Sequence, residues 1–393
     1  MRAVALLLLL LSGCAGRPAE VRPAEVQVTF DANRITFASA RGIADRATGR
    51  RVTIDDPARV ASVSKLVVAL GVMRLVEAGR IDLDRDVSDV LGWRLRNPAF
   101  PDVPITLRML LSHTSSLADG IDYIVPLGVR MRDAVADPKA WDVAHPPGRY
   151  FHYANINTGI VATVIEAATG ERFDRVMARE VLRPLALDAC YNWGEGCSDA
   201  KVARAVVLYR ANGDVARDDL GGKRPDCPVV AVAGCDLAAY RPGDNGAIFS
   251  PQGGLRISAH DLAKIGQMLL RRGDGFLKPE SVAAIETARW TFDGTNGDTS
   301  QGFYCRYGLA TQTVPTLAAG CEDDLFGDGA TWVGHAGEAY ALRSGLWIDR
   351  TGGRGIAFFT TAVADGSKGQ SRYSVEEERI VRKAAGETAV MPK

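Results

Sequence analysis

Ala61-Ser62-Val63-Ser64-Lys65 opens a stretch whose apolar residues recur with helical spacing as far as Ala78. This pattern predicts a largely buried helix over 62–78. Residues three apart share one face of a helix, so the Ser62 hydroxyl and the Lys65 amine can meet one turn apart. The helix N-terminus also favours negative charge that develops near Ser62. The stretch therefore predicts a serine nucleophile beside a buried lysine of lowered pKa.

The S-x-x-K spacing alone is a weak signal, since a chain of this length contains on the order of one copy by chance. A second copy, Ser198-Asp199-Ala200-Lys201, directly follows Cys197 in a charged, glycine-containing stretch. Only the first copy opens an apolar helix. We therefore interpret Ser198 as a helix cap and Ser62 as the candidate nucleophile.

The composition excludes several classes of protein. Of the 393 residues, 47% are hydrophobic and 24% are charged, which is typical of a globular chain and not of a disordered one. Lys+Arg and Asp+Glu both number 47, so no net charge attracts the molecule to nucleic acid. The length allows two lobes around a sizeable core.

The beginning of the chain has the pattern of an export signal. Met1-Arg2 precedes an apolar run from Ala3 to Leu11, which is too short for a permanent membrane span. The run ends in Leu11-Ser12-Gly13-Cys14, which resembles the lipobox of bacterial lipoproteins. We predict a signal peptide over 1–13, with plain secretion as the alternative to lipidation.

In a lipoprotein of this kind, Cys14 would carry the lipid and become the first mature residue. Residues 14–26 contain the sequence R-P-A-E-V twice in tandem, which predicts a proline-stiffened tether. Ala15, being other than Asp, favours the outer membrane. We therefore expect a protein of the bacterial cell envelope that is lipid-anchored and faces the periplasm.

The cysteines are consistent with export. Six of the seven remain when Cys14 is set aside, and an even number in an exported chain predicts disulfides. Zinc binding is the alternative, but the chain has no C-x-x-C and its five histidines are scattered. We predict no metal site, and the short separations favour the pairs Cys190–Cys197, Cys227–Cys235 and Cys305–Cys321.

Secondary-structure signals place strands at both ends of the chain and helices between them. Predicted strands are 26–30, 35–40, 331–334, 342–348 and 355–361, and predicted helices are 106–112, 157–168, 172–182, 258–271 and those that begin near 279 and 374. This order indicates an α/β fold in which one antiparallel sheet is built from both ends. We expect an α/β lobe over about 27–80 and 246–390, and a largely helical inserted lobe over about 81–245.

Two further motifs occur once each in the chain. Tyr153-Ala154-Asn155 joins a phenol, which can relay a proton, to an amide that can orient a carbonyl. His335-Ala336-Gly337 lies between two predicted extended runs, where the histidine can project from a strand edge and the glycine allows close backbone approach. Taken singly, the first motif is also explained as a core tyrosine followed by a helix-capping asparagine. The second is also explained as a structural histidine.

Together and in this order, the three motifs resemble those of the penicillin-recognising serine hydrolases, which include class C β-lactamases, D-Ala-D-Ala peptidases and family VIII esterases. Their signature is S-x-x-K, Y-x-N and K/H-x-G. The resemblance extends over about 34–385 and implies a β-lactamase/transpeptidase-like fold. Supporting segments are Leu110–Ser115, Pro147-Gly148, Ser250–Leu255 and Gly334–Gly337.

The resemblance implies a role for each motif residue. Ser62 would be acylated, and Lys65 and Tyr153 would share the proton transfers, with the identity of the base left open. Asn155 would contact the acyl side chain, and His335 would replace lysine as the polar group of the third motif. The backbone around Gly337 would approach the substrate, and the N–H groups of Ser62 and Glu338 would form the oxyanion hole.

The third motif departs from the family in two ways that affect the substrate. Ala336 stands where a Thr or Ser hydroxyl often helps to bind a carboxylate, and Glu338 follows where small residues are usual. A carboxylate at 338 repels an anionic substrate end. Arg343 could neutralise Glu338 or bind a carboxylate itself, and the sequence leaves both possibilities open.

We therefore expect a serine hydrolase that needs no cofactor and acts on a small-molecule or peptide substrate, such as an ester or a D-amino-acid amide. β-Lactamase or D-Ala-D-Ala carboxypeptidase activity is the alternative among enzymes. A penicillin-binding sensor that is acylated without turnover is the alternative outside catalysis. The sequence does not indicate an oligomeric state.

Overall fold

The computed structural model describes residues 22–388. Its strands are β1 (Glu25–Asp31), β2 (Ile35–Arg41), β3 (Ile43–Asp45), β4 (Arg50–Arg51), β5 (Ala58–Arg59), β6 (Cys190–Tyr191), β7 (Leu208–Tyr209), β8 (Val215–Arg217), β9 (Leu255–Ile257), β10 (Trp290–Thr291), β11 (Arg306–Tyr307), β12 (Gln312–Val314), β13 (Trp332–Ala339), β14 (Leu342–Asp349) and β15 (Arg354–Thr360). Its α-helices are α1 (Val63–Glu77), α2 (Ser88–Leu91), α3 (Leu107–Leu111), α4 (Met131–Ala134), α5 (Ile156–Thr169), α6 (Phe173–Met177), α7 (Asp199–Val202), α8 (Ala259–Leu270), α9 (Pro279–Glu286) and α10 (Val375–Thr388).

The main sheet has eight strands in the order β10-β11-β12-β13-β14-β15-β1-β2 and is antiparallel throughout. The N-terminal strand β1 pairs on one side with its hairpin partner β2 and on the other with β15, in a register that places Glu25 opposite Thr360. The prediction of one sheet built from both chain ends is confirmed. β1 begins at Glu25, so the last two residues of the predicted tether belong to the sheet.

Helix α8 packs against the sheet at β1, β14 and β15. Gly266 faces the Phe30 ring there, and a Cβ at this position would lie 2.1 Å from Phe30 Cζ. This close approach explains why a glycine stands in the middle of a helix, where it costs about 1 kcal/mol relative to alanine. On α10, Ile380 and Val381 are buried in the core cluster that contains Phe358 of β15.

The capping box predicted at the start of the last helix is present. Ser374 Oγ accepts from the Glu377 N–H, and the Glu377 carboxylate accepts from the Ser374 N–H. The helix predicted over 172–182 is α6 followed directly by a π-helical turn, Ala178–Leu182. No helix among residues 22–388 is both long enough and apolar enough to cross a membrane.

The inserted segment between α1 and β9 contains helices α2–α7 connected by long loops. It is joined to the α/β lobe through a small three-stranded sheet of order β5-β9-β6, in which Cys190 pairs with Arg256. Ser198 accepts from the Lys201 N–H as the cap of the short helix α7, which confirms its structural role. The predicted disulfide pairs are also confirmed, at 190–197, 227–235 and 305–321.

Candidate active site

Ser62 lies at the N-cap of α1, three residues after the end of strand β5. The residue before it, Ala61, has a φ of +44°, a left-handed conformation that is costly for a residue with a Cβ and is found where surrounding structure enforces it. The Ser62 side chain makes no capping hydrogen bond to its own helix. The hydroxyl is therefore available to other groups.

Lys65 lies on the same face of α1, and its Nζ is 3.1 Å from Ser62 Oγ. The same nitrogen lies 2.8 Å from Asn155 Oδ1 and 2.9 Å from the Gln252 carbonyl oxygen. The residue is 1% exposed. Burial lowers the pKa of Lys65 to about 7, although the negative charge of Asp119 acts in the opposite direction.

Asn155 precedes α5 but does not cap it with its own side chain. Asp119 does so instead, because its carboxylate accepts from the backbone N–H groups of Asn155 and Ile156 at 2.7 and 3.0 Å. Asp119 also accepts from Asn155 Nδ2 at 3.0 Å. The amide oxygen of Asn155 is thereby turned toward Lys65, which excludes the purely capping interpretation of this asparagine.

Tyr153 is held between two rings. His113 stacks on it with centroids 4.3 Å apart, and Tyr304 stacks on it with centroids 4.4 Å apart. Lys65 Nζ lies 4.9 Å from the centroid of the Tyr153 ring. The Tyr153 hydroxyl oxygen is buried and has no partner of good hydrogen-bond geometry among residues 22–388. Burial raises the pKa of Tyr153, and the nearby hydroxyls of Ser62 and Tyr304 only partly offset this.

His335 lies inside β13, not at a strand edge, because the strand continues to Ala339 instead of ending at the predicted Gly334. Its ring is 1% exposed. Nδ1 hydrogen-bonds the Ala336 carbonyl, which can only accept, so Nε2 accepts from the Tyr307 hydroxyl at 2.8 Å. Burial and the nearby Lys65 charge lower the pKa of His335 to about 3, so the ring is neutral.

Strand β13 passes directly over the beginning of α1. A Cβ added at Gly337 would lie 2.4 Å from the Val60 carbonyl oxygen and 3.2 Å from the Ser62 nitrogen. Only a residue without a side chain therefore lets the strand backbone come this close to the Ser62 N–H. Gly337 is thus next to the Ser62 N–H, which the family resemblance predicts to form the oxyanion hole together with the N–H of Glu338.

Glu338 and Arg343 stand opposite each other in the β13–β14 hairpin, and Arg343 Nη2 is 2.6 Å from the Glu338 carboxylate. Arg343 Nε is also 3.9 Å from Glu377. Burial raises the pKa of Glu377 to about 7. Arg343 thus forms an ion pair with Glu338, as in the first of the two possibilities left open by the sequence.

Several of these groups border one cavity of about 640 Å³, and Lys65 is not part of its wall. Its wall includes Ser62, Tyr153, Asn155, Gly337, Glu338 and Arg343, but not His335. The cavity thus joins the predicted nucleophile to the predicted binding residues, while His335 lies behind the wall. Among residues 22–388, no three His, Cys, Asp or Glu side chains are grouped so as to hold a metal ion.

Sequence reasoning missed three contributors to this site: Asp119, Gln252 and Tyr304. Gln252 belongs to the segment Ser250–Leu255 that the family resemblance had marked, although no role followed from it. Asp119 and Tyr304 had no local signal, because each acts on a residue that lies far away along the chain. A lone aspartate before glycine or a lone tyrosine occurs too often to be singled out.

A serine on a helix N-terminus, a buried lysine one turn later and a glycine-bearing strand beside them define a serine hydrolase site. Comparison with known proteins agrees with this geometry. The pattern of the Beta-lactamase family matches residues 24–378, and the chain belongs to that family. The homologues in this family are serine hydrolases, and the chain is one of this class of enzymes.

The chain is similar to Esterase EstB of Burkholderia gladioli, with 27% identity over 366 residues that cover 88% of each protein. It is also similar to the solved structure of a class C beta lactamase from Rhodobacter sphaeroides, with a TM-score of 0.66 and 16% identity over 94% of this chain and 95% of that one. A D-amino acid amidase from Ochrobactrum anthropi SV3 gives a TM-score of 0.66 and 18% identity over 94% of both chains. The two structural likenesses show the fold alone.

Removing the Asp119 carboxylate tests whether it positions Asn155. We expect Asp119→Ala to lose on the order of 100-fold in kcat/KM for an ester substrate, since a 1 Å misplacement near a site can cost that much. It should also lower the free energy of unfolding by about 1–2 kcal/mol through the lost cap. The matched control is Asp137→Ala, which removes a similar cap at Lys139 N–H but lies outside the cavity wall. Equal activity of the two variants would contradict the assigned role.

Proposed function

We propose that this protein hydrolyses a small ester or amide, including D-amino-acid peptides, through an acyl-enzyme on Ser62. The observation that carries the proposal is the 3.1 Å contact between Lys65 Nζ and Ser62 Oγ in a buried site. A serine hydroxyl is a weak nucleophile until a nearby base removes its proton. The lysine is the group within hydrogen-bond distance that can do so.

Lys65 acts as the base because its three contacts suit the neutral amine. A neutral amine has two N–H donors, which Asn155 Oδ1 and the Gln252 carbonyl accept. Its lone pair is then left for the Ser62 O–H. Once the proton has moved, the ammonium has three donors and the same neighbours as acceptors. The site is therefore organised for both protonation states.

Tyr153 acts as a neutral phenol and not as a phenolate, since burial raises its pKa. With its ring fixed by His113 and Tyr304, the hydroxyl can pass a proton from Lys65 toward the leaving group. His335 serves as a positioning residue, because its neutral ring anchors Tyr307 and the Ala336 carbonyl instead of entering the cavity. The negative oxygen of the tetrahedral intermediate would be bound by the N–H groups of Ser62 and Glu338.

The acyl-enzyme can be tested directly by intact mass spectrometry and by turnover. The wild type should be labelled by a fluorophosphonate probe and should turn over a 4-nitrophenyl ester repeatedly. Ser62→Ala should lose the label and at least about 1,000-fold in kcat, as expected for a nucleophile. Ser198→Ala, which alters the second S-x-x-K, should keep both. Labelling without repeated turnover would indicate the penicillin-binding sensor, and full activity of Ser62→Ala would refute the proposal.

The pH profile distinguishes Lys65 from Tyr153 as the base. Lys65 accepts a proton only when it is neutral, so kcat/KM should rise as the pH passes through about 7 and level off above it. A phenolate base with the raised pKa of Tyr153 would instead require strongly alkaline conditions. The profile is measured with an uncharged ester, and the residual rate of Ser62→Ala is subtracted. A plateau that extends down to pH 5 would exclude Lys65 as the titrating base.

Uncharged esters should be better substrates than β-lactams. The third motif offers no hydroxyl at Ala336 for a β-lactam carboxylate, and a lost hydrogen bond to a charged group costs about 1.5–3 kcal/mol. The partly exposed Glu338 carboxylate is already committed to Arg343. We therefore expect kcat/KM for nitrocefin to be at least about 10-fold below that for 4-nitrophenyl butyrate. Comparable kcat/KM values for the two substrates would favour the β-lactamase alternative. The Ala336→Thr variant should have a smaller difference in kcat/KM between them.

We further propose that the protein is lipid-anchored through Cys14 and faces the periplasm. Cys14 and the signal peptide over 1–13 lie outside the described residues, so the support is the sequence pattern Leu11-Ser12-Gly13-Cys14. In a bacterium that processes lipoproteins, the mature N-terminus should be a diacylglyceryl Cys14, and Cys14→Ser should release the protein from the membrane fraction. Mass spectrometry of the N-terminal peptide measures this. An unmodified N-terminus further along the chain would contradict it.

A further inference from the structure

Arg59 forms part of the wall of the active-site cavity and has no carboxylate in direct contact. It is 5% exposed, and its Nε and Nη1 atoms are fully enclosed without a hydrogen-bond partner among residues 22–388. Within the same range it makes no ion pair within 4.0 Å, and its guanidinium lies over the ring of Tyr340, with Cζ 5.3 Å from the centroid. A buried guanidinium left without acceptors is costly, so the site is suited to an acceptor brought by a ligand.

The surroundings of Arg59 increase the excess of positive charge. In the β5–β9 pair, Arg59 stands directly opposite Arg256. The negative charge of Asp218 acts to raise the pKa of Arg59, but the ion pair of Asp218 is with Arg256, whose Nη2 lies 2.7 Å from Asp218 Oδ1. Arg217 lies over the same Tyr340 ring, 5.7 Å from the centroid. Burial, and next the charge of Arg256, lower the pKa of Arg59 to about 9, so it remains a cation at neutral pH.

The other arginines of the cavity wall differ from Arg59 in having carboxylate partners. Arg343 lies 2.6 Å from Glu338, and Arg372 lies 3.1 Å from Glu322. A carboxylate that enters the cavity would have to compete with these pairs. At Arg59 it would meet no such competitor.

The course of β13 shows which part of a substrate reaches Arg59. At His335 the strand lies near the ring of Tyr153. Two residues later, Gly337 passes close to Ser62. The strand then ends in the turn at Tyr340, whose ring lies against Arg59. Tyr153 relays the proton to the leaving group in the proposed mechanism. The acyl part of the substrate therefore extends away from Tyr153 and toward Tyr340. Tyr340 is three residues beyond Gly337, which is roughly 10 Å along the strand at about 3.3 Å per residue.

The turn that carries Tyr340 has a strained backbone, and it forms the part of the cavity wall next to Arg59. Tyr340 and Ala341 have φ values of +54° and +58°, as a two-residue hairpin turn of this hand requires. Asparagine and glycine are the usual residues there, because a bulky side chain is unfavourable at positive φ. Despite this backbone strain, the hairpin places the aromatic ring of Tyr340 beneath the Arg59 guanidinium.

We propose that Arg59 binds a carboxylate on the acyl part of the substrate, so that the preferred substrates are esters or amides of a dicarboxylic or similarly acidic acyl group. The proposal rests on the proposed Ser62 acyl-enzyme for the direction of the substrate. The site is separate from the third motif, where Ala336 provides no hydroxyl for a carboxylate.

Matched esters test this preference through turnover. The mono-4-nitrophenyl esters of glutaric, adipic and pimelic acid are compared with the valerate, hexanoate and heptanoate esters of the same lengths. In the wild type at least one acidic ester should exceed its neutral partner in kcat/KM by about 10- to 100-fold, the effect of a charge-assisted hydrogen bond. In Arg59→Gln this ratio of the acidic to the neutral ester should fall to about 1. Arg80→Gln removes an arginine outside the cavity wall and should leave the ratio unchanged.

A binding measurement removes the dependence on turnover. Ser62→Ala should bind monomethyl adipate at least about 10-fold more tightly than dimethyl adipate in calorimetry, and adding Arg59→Lys should abolish most of the difference, since an ammonium cannot replace the paired donors of a guanidinium. Lysine keeps the charge and also serves if Arg59→Gln does not fold. If no ester is hydrolysed, the proposed function fails and this measurement alone decides the carboxylate site. Equal binding of the two adipates would overturn the proposal. So would a preference for monomethyl adipate that is unchanged when Arg59 is substituted.

Discussion

The whole site depends on keeping one lysine buried without a carboxylate in contact. Lys65 is surrounded by a hydroxyl, an amide oxygen and a backbone carbonyl, and none of these carries a charge. Burial lowers the pKa of Lys65, and these uncharged neighbours satisfy the donors of the amine without supplying a negative charge that would stabilise the ammonium. A contacting aspartate would restore the charge and remove the base. Asp119 makes no direct hydrogen bond to Lys65. Its carboxylate accepts from the Asn155 amide, and the amide oxygen of Asn155 in turn contacts Lys65 Nζ.

The fold supplies each of these neighbours from a different part of the chain. Ser62 and Lys65 come from α1, Tyr153 and Asn155 from the residues before α5, and Gln252 from the loop before β9. The sheet adds β13 as the remaining wall. The strained φ of Ala61 and the missing side chain of Gly337 allow helix and strand to meet at the Ser62 N–H. The chemistry is thus assembled at the junction of the sheet and the inserted segment.

The sequence predicts those parts of the site that depend on local geometry. The Ser62–Lys65 pair follows from helical spacing, and the rejection of Ser198 follows from its polar surroundings; both agree with the structure. Asp119 could not be predicted, because it reaches Asn155 across 36 residues of chain. The same holds for Tyr304, whose stacking on Tyr153 depends on how two loops meet. The sequence places His335 at a strand edge because it follows the predicted run 331–334, yet the pairing of β13 with β14 continues from Val333 through His335 to Ala339.

The pairing of β1 with β15 also determines when the molecule can become complete. Glu25 meets Thr360, so β1 has to wait for β15, the last strand to be synthesised, before the β1–β2 hairpin can join the rest of the sheet. Contacts so distant in sequence form slowly and late. During synthesis, the helical segment can acquire local structure while β1 and β2 still lack their neighbour in the sheet. A chain that stops short of β15 would thus contain the nucleophile and its lysine, but its N-terminal hairpin would be separated from the other strands of the sheet.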